Sequence, residues 1–243
     1  MGSKNRFVEE ALSAITTILE RVKEGNRELR QESGERGAGG DISLAGDLWM
    51  EELFISHLSK FGPIWTEERG EVGGGAGGKI VIDPLDGSFN FKIGLPYYGC
   101  AIFWEEGVGI VVNLANGDLF LRVGDEVKSL NLLGLAIPRF PPLPSEGVLF
   151  EKAYQNWPLV KRLQEEGVKF RSPGALSLSL CYGAGMEGVV FTGPVREFDY
   201  MAPYYITAQF THWTVDKENG IIVSAPTPQK REWLYQLAIS SKG

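Results

Sequence analysis

Ile82-Asp83-Pro84-Leu85-Asp86-Gly87-Ser88-Phe89-Asn90-Phe91 is the stretch on which the reading of the whole chain turns. It grows out of Lys79-Ile80-Val81-Ile82, whose β-branched run predicts a short strand ending at Asp83. Two carboxylates three residues apart leave that strand, separated by a proline that fixes the local chain. Gly87-Ser88 then permits a sharp turn into a helix N-terminus, where backbone N–H groups face an anion. Hard divalent cations such as Mg²⁺ take oxygen ligands, keep several waters and bind through one or two carboxylates plus substrate phosphate. Two aspartates beside an anion-binding turn suit a metal-assisted phosphate site. The other reading is local: Asp-Pro and Asp-Gly are common turn dipeptides, with Asp83 capping the next segment and Asp86 solvated. These ten residues alone leave both readings open.

Working outward, Gly73–Gly78 (GGGAGG) precedes the strand. No Gly-Lys-Ser/Thr follows it, so it is not a Walker phosphate cradle; it predicts a flexible surface turn between two strands. Trp65-Thr66-Glu67-Glu68 sets adjacent carboxylates just upstream. Leu44, Leu48, Leu53, Leu58 and Phe61 keep helical spacing until Gly62-Pro63, with Asp41 and Asp47 flanking the start. The polar, glycine-bearing Gln31–Gly40 predicts a mobile loop, and Phe7 to about Leu29 an amphipathic helix. Downstream, Tyr97–Trp104, Gly107–Leu114 and Asp118–Val123 predict strands, the last two joined at the hairpin signal Asn116-Gly117. Pro138, Pro141, Pro142 and Pro144 mark a connection, dividing the chain into residues 1–140, with an antiparallel sheet, and 141–243. In the second part Gly147–Phe150, Val168–Arg171, Val189–Phe191, Trp213–Val215 and Ile221–Val223 predict strands. Trp157–Glu166, Ala175–Ala184 and Gln229–Ile239 predict helices. Glu197-Phe198-Asp199-Tyr200-Met201-Ala202-Pro203 reads locally as a helix capped by Asp199 and broken by Pro203. Strands and helices alternate, so the fold class is mixed α/β.

Composition narrows the function. Of 243 residues, 43% are hydrophobic and 23% charged, the balance of a globular chain with a large core. Twenty-four Lys and Arg against 31 Asp and Glu give a net charge of −7 without a long basic run, which argues against a nucleic-acid polymer as partner. Cys100 and Cys181 have neither disulfide-scaffold density nor metal spacing and predict small core residues. No signal-peptide or membrane-spanning stretch is evident, so a cytoplasmic protein without a membrane partner is expected. His57 and His212, the two histidines, fall outside the acidic segments and receive no catalytic role. The aromatic density of Tyr97, Tyr98, Phe103 and Trp104 exceeds what one core needs.

Taken together, D-x₅-D, Glu-Glu, D-P-L-D-G-S-x-N-F and F-D-Y-x-A-P, in that order, resemble the inositol monophosphatase family of metal-dependent phosphatases. Arg171-Ser172-Pro173-Gly174-Ala175, leading toward Cys181, resembles a helix start of the same family, and the likeness runs from the N-terminal helix to Ile221–Val223. The resemblance implies a layered αβαβα sandwich and Mg²⁺-dependent hydrolysis of a phosphate monoester of inositol or a sugar. It implies two or three Mg²⁺ ions, with Mn²⁺ as a substitute, a small phosphorylated metabolite as partner, and, with the aromatic strand to spare, a symmetric homodimer. Asp83 is expected to bridge two metals; Glu68 and the Leu85 carbonyl complete the first metal's ligands, and Asp86 with Asp199 hold the second. Gly87 and Ser88 are expected to present N–H groups to the phosphate. The Ser88 hydroxyl, with Asp47, would orient the attacking water, and Asp41 with its glycine-rich loop would cover the site.

Three departures bear on the substrate: Thr192 stands where inositol-preferring members have Glu, Phe198 replaces a Trp, and Ala208-Gln209-Phe210-Thr211 replaces Glu-Ala-Gly-Gly. They weaken the case for inositol 1-phosphate itself and leave fructose 1,6-bisphosphate, histidinol phosphate and 3′-phosphonucleotides as alternatives. Thr192 and Arg196 are expected to touch the substrate. A catalytically silent, metabolite-binding regulatory module is the reading from a different class.

Overall fold

In the computed structural model, which describes residues 2–25, 27–37, 42–138, 140 and 142–242, the chain opens with helix α1 (Ser3–Lys23). A short antiparallel pair follows, β1 (Glu32–Arg36) and β2 (Ile42–Leu44), and leads into α2 (Ala45–Leu58). The mobile loop expected over Gln31–Gly40 is thus partly a strand. Its mostly exposed side chains carry no hydrophobic alternation, and backbone pairing alone defines it. Asp41 lies outside the described residues.

Next come β3 (Ile64–Thr66), β4 (Gly70–Val72), β5 (Ile80–Asp86), α3 (Ser88–Ile93), β6 (Gly99–Trp104), β7 (Val108–Asn113), β8 (Asp118–Val123) and β9 (Glu126–Asn131). Among the described residues these seven strands form one sheet in the order β4-β3-β5-β6-β7-β8-β9. The pairing is antiparallel except that β3 runs parallel to β5, so the purely antiparallel sheet expected here is corrected at that one ladder. Glycines 73–78 do connect two strands, but they are not a free turn. Gly75 N–H donates to Ser59 O at 2.7 Å, and a Cβ on Gly77 would stand 1.9 Å from Phe61 O. The run is glycine because backbone packs on backbone there.

The remaining elements are β10 (Val148–Glu151), α4 (Trp157–Glu165), β11 (Phe170–Arg171), α5 (Leu176–Tyr182), β12 (Gly188–Thr192), α6 (Glu197–Thr207), β13 (His212–Asp216), β14 (Ile221–Ala225) and α7 (Pro228–Ser240). Their strands form a second sheet, β11-β10-β12-β14-β13. Helix α6 runs through Pro203 rather than stopping at it. Pro203 O accepts from the Thr207 hydroxyl at 2.8 Å, and Asp199 sits inside the first turn with Arg196 at the cap.

Strand parity sorts the side chains into layers. Ile80, Ile82, Ile102, Trp104, Ile110 and Val112 pack with Phe7, Ile15, Met50 and Phe54 of α1 and α2. Ala101, Val111 and Phe120 face the other way, onto Leu178 and Cys181 of α5 and Ala202 and Ile206 of α6. The far side of α5 and α6, through Leu176, Leu180 and Tyr200, meets Leu149, Val189, Phe191 and Ile222 of the second sheet. Val148, Phe150, Val190 and Val223 then bury against α4 and α7. The result is the expected five-layer αβαβα sandwich.

The aromatic strand finds its partners inside this one chain. Trp104 stacks on Phe7 at 4.5 Å, Tyr98 meets Phe91 edge-on at 5.0 Å, Phe103 meets Tyr205 at 5.6 Å, and the Tyr97 hydroxyl lies 3.1 Å from Ser179 Oγ. These rings therefore supply no argument for a homodimer.

Candidate active site

Asp83 and Asp86 stand an odd number of residues apart, and a regular strand would send them to opposite faces. Strand β5 is not regular there. Asp83 pairs with Ala101 and Asp86 with Gly99, three steps on one strand against two on the other. The extra residue makes a bulge between Asp83 and Asp86, where Pro84 has no N–H to lose, and both carboxylates line one cavity. Gly87 follows with φ +83°; a Cβ there would lie 3.0 Å from Ala175 Cβ and 3.1 Å from the carbonyl oxygens of Gly174 and Tyr97. Only glycine makes this turn, and α3 starts immediately after it.

The cavity occupies about 880 Å³ at strand ends of both large sheets, beside the β1–β2 pair. Asp83 is 1% exposed; its Oδ1 accepts from Leu85 N–H at 3.1 Å. Burial pushes its carboxyl well above the usual range, and repulsion from Glu67, Asp86 and Asp199 adds to that. Asp86 accepts from the backbone N–H groups of Leu176 (3.0 Å) and Ser177 (2.7 Å) and from Ser177 Oγ (2.5 Å), tying the start of α5 to β5. Burial still raises it to about 7 against the Ser177 hydrogen bond. Asp199 enters from the first turn of α6.

Glu67 completes this group, and the pairing of β3 with β5 explains why. The parallel ladder ends with Thr66 opposite Ile82, so Glu67 leaves β3 beside the point where Asp83 follows Ile82 on β5. Burial lifts Glu67 to about 8, opposed by the Arg196 guanidinium. Glu68, expected among the metal ligands, is one residue out of step: it accepts from the Ser43 hydroxyl and faces Asp47 across the same cavity. Asp47, in the first turn of α2, accepts from Leu44 N–H at 2.6 Å and lies 3.0 Å from Ser88 Oγ, which is also 2.8 Å from Leu85 O. Burial raises Asp47 to about 7, with Leu44 opposing and Glu68 reinforcing.

Thr192 and Arg196, expected to touch the substrate, differ from each other in placement. Thr192 shares its strand face with Val190, toward the outer helices; its hydroxyl is buried without a hydrogen-bond partner, while Phe191 lines the cavity. Arg196 lines the cavity but is engaged: it chelates Asp199 with two 2.9 Å hydrogen bonds and reaches Glu67 at 2.6 Å. Burial opposes its charge, yet the Asp199 pairing outweighs this and raises its pKa.

Beyond Glu67, Glu151 and Lys152 also line the cavity without having drawn notice in the sequence. Lys152 is the one non-glycine residue with positive φ among those described, at 58°. No local signal marks Glu151, since a single acid ending an apolar strand is unremarked in any β-containing chain.

The donor set is all hard oxygen, buried and short of positive charge, which is the chemistry Mg²⁺ satisfies. As they stand, no three His, Cys, Asp or Glu side chains among the described residues form a ready-made ligand cluster; Arg196 bridges two of the acids. In donor chemistry these oxygen ligands fit such an ion.

A scan of the chain against protein-family models matched none. Against individual proteins it is 30% identical over 230 residues to the Nus factor SuhB of Haemophilus influenzae, covering 85% of each chain. It is also 30% identical to the Nus factor SuhB of Pasteurella multocida, over 172 residues and 64% of each chain, just under two thirds of that relative's length. The inositol-1-monophosphatase of Mesorhizobium japonicum is 26% identical over 244 residues, with 86% of this chain and 88% of that protein covered. Among solved structures, the extragenic suppressor protein SuhB of Bartonella henselae superposes with a TM-score of 0.73 at 22% identity, covering 96% and 97% of the two chains. The inositol monophosphatase of Anabaena gives 0.66 at 18%, covering 97% and 94%. The fold, the DPLDGS turn with its gathered acids and the extent of these matches agree: the chain belongs to the inositol monophosphatase family of phosphoric monoester hydrolases.

Proposed function

We propose that the chain hydrolyses a phosphate monoester of inositol or a sugar in a Mg²⁺-dependent reaction. The observation that carries this is the gathering of Glu67, Asp83, Asp86 and Asp199 at one cavity beside the Gly87–Ser88 turn. Glu67, Asp83, Asp86, Asp199 and the Leu85 carbonyl would hold the ions, with Glu67 in the place the sequence motif suggested for Glu68. Bound there, Mg²⁺ supplies neutralisation of the phosphate oxygens, a more acidic water and stabilisation of the leaving alkoxide.

The chain's own residues do the positioning. The Gly87–Ser88 backbone offers N–H groups to a phosphate oxygen, and the bulge between Asp83 and Asp86 keeps both aspartates at the same cavity. Ser88 Oγ, held between Leu85 O and Asp47, can accept from or donate to a water at the phosphorus; Asp47, raised to about 7, can take up or release a proton through it near neutral pH. The test is phosphate release with and without Mg²⁺ on inositol 1-phosphate, fructose 1,6-bisphosphate, histidinol phosphate and 3′-phosphoadenosine 5′-phosphate. Release that is indifferent to EDTA rejects the metal-dependent reading, and no release from any ester rejects hydrolysis in favour of a binding module.

A further inference from the structure

Two of the carboxylates assigned to the metals are already held by a cation of the chain itself. Arg196 caps α6 and Asp199 lies three residues on, so the start of the helix sets the fork of the guanidinium against both oxygens of that carboxylate, at 2.9 Å each. The remaining terminal nitrogen crosses to Glu67 Oε1 at 2.6 Å. Glu67 comes from the turn after β3 and Asp199 from α6, so one side chain ties together two otherwise separate elements. The three side chains are only 24%, 16% and 7% exposed for Arg196, Glu67 and Asp199, which limits screening by salt. A carboxylate oxygen committed to a guanidinium N–H in this geometry has that lone pair directed away from any ion.

We propose that Arg196 is a resident counter-ion of the acid cluster, which a divalent metal must displace from Glu67 and Asp199 in order to bind. The inference rests on the metal-dependent reading above and adds two properties to it. The chain folds with its acids partly neutralised before any ion arrives. Metal affinity is also lower than the acids alone would give, by the factor with which the paired arrangement outweighs the open one.

The test is Mg²⁺ titration calorimetry on the full chain, wild type beside Arg196→Gln, Arg196→Lys and the control Lys152→Gln, with melting curves in EDTA and in Mg²⁺. Lys152 lines the same cavity and its loss changes the net charge equally, but its ammonium stands over the Phe191 ring, 5.3 Å from the centroid. Arg196→Gln is expected to bind Mg²⁺ about tenfold tighter, to melt lower in EDTA, and to gain more from Mg²⁺ than the wild type gains. Arg196→Lys, a point charge without the fork, falls between; Lys152→Gln stays within about twofold of wild type. Wild type binding Mg²⁺ while Arg196→Gln binds it equally or more weakly overturns the inference and leaves the phosphatase reading intact. Equal tightening in Lys152→Gln overturns it too, because generic charge then explains the effect. No Mg²⁺ binding by any of the four removes the metal reading, and the inference with it.

Discussion

Glu151 and Asp83 are equally buried, at 2% and 1% exposure, line the same cavity, and are both held above the normal carboxylate range by that burial. Their surroundings differ. Glu151 ends β10 inside a ring of donors, accepting from Gly174 N–H at 2.9 Å and from the Ser179 hydroxyl at 2.5 Å, and these hydrogen bonds pull against its burial. Asp83 looks onto other acids: Glu67, Asp86 and Asp199 all push it further up, and the Arg196 guanidinium opposes them. A buried carboxylate ringed by donors fastens the fold, here the start of α5. One ringed by carboxylates costs stability and persists where something cationic is to be brought to it.

The sharpest break in that comparison is Asp83→Asn against Glu151→Gln. Asp83→Asn keeps the shape and removes the shared charge; kcat/KM is expected to fall about a thousandfold while the melting temperature in EDTA rises or holds. Steady-state kinetics beside thermal melts decide it, and wild-type turnover in Asp83→Asn would return the DPLDG run to a plain turn. Glu151→Gln should show the opposite signature. A neutral amide turns a donor toward donors, costing about 2–3 kcal/mol of stability, readable in urea denaturation, with Mg²⁺ affinity unchanged. Large loss of Mg²⁺ binding there would erase the distinction between the two acids.

Ser88→Ala removes a hydroxyl whose partners are Leu85 O and Asp47. We expect kcat about tenfold lower with Mg²⁺ affinity preserved, separable by rapid kinetics over a Mg²⁺ series. Asp47 lies between the two types, with a backbone and a hydroxyl donor and two acidic neighbours, Glu68 and Glu51. Its folded pKa of about 7 lies above the unfolded value near ~3.9. The folded state therefore keeps a proton that the unfolded state has released, and stability falls as pH rises between those values. Asp47→Asn should flatten that slope by one proton, at most about 1.4 kcal/mol per pH unit. Denaturation midpoints from pH 4.5 to 7 measure it; an unchanged slope would mean that Asp47 is ionised throughout.

The turn at the centre of the site was legible because its chemistry is local. A strand ending in Asp-Pro and resuming at Asp-Gly-Ser has few ways to fold, and it also ordered the other acidic segments around itself. Features set by pairing were not legible. Whether Glu67 or Glu68 meets Asp83 depends on the parallel register of β3 on β5, which a list of residues does not contain. The same parity sends Phe191 into the cavity and Thr192 behind its wall. Sequence offers Arg196 as a basic candidate for a second phosphate, and its three-residue spacing to Asp199 acquires meaning only in the first turn of α6, where the two side chains pair. Glycines 73–78 suggested mobility by composition, whereas the proximity of Ser59–Gly62 makes them a close-packed seam.

The middle helices α5 and α6 bury one side against each sheet, through Ala202 and Ile206 on one and Leu176 and Tyr200 on the other. This has a kinetic consequence. Glu67, Asp83 and Asp86 lie within twenty residues of one another in the chain, but Asp199 follows more than a hundred later, so the fourth acid joins through a contact of very long loop closure. During synthesis or refolding, the first sheet can pair its strands while Ala101, Val111 and Phe120 still lack their cover. The fourth acid joins only when α6 docks, so the electrostatic cost of completing the cluster falls on that docking step. Arg196 travels on that same helix and arrives with the last negative charge, so the step that completes the cluster also delivers its first compensation.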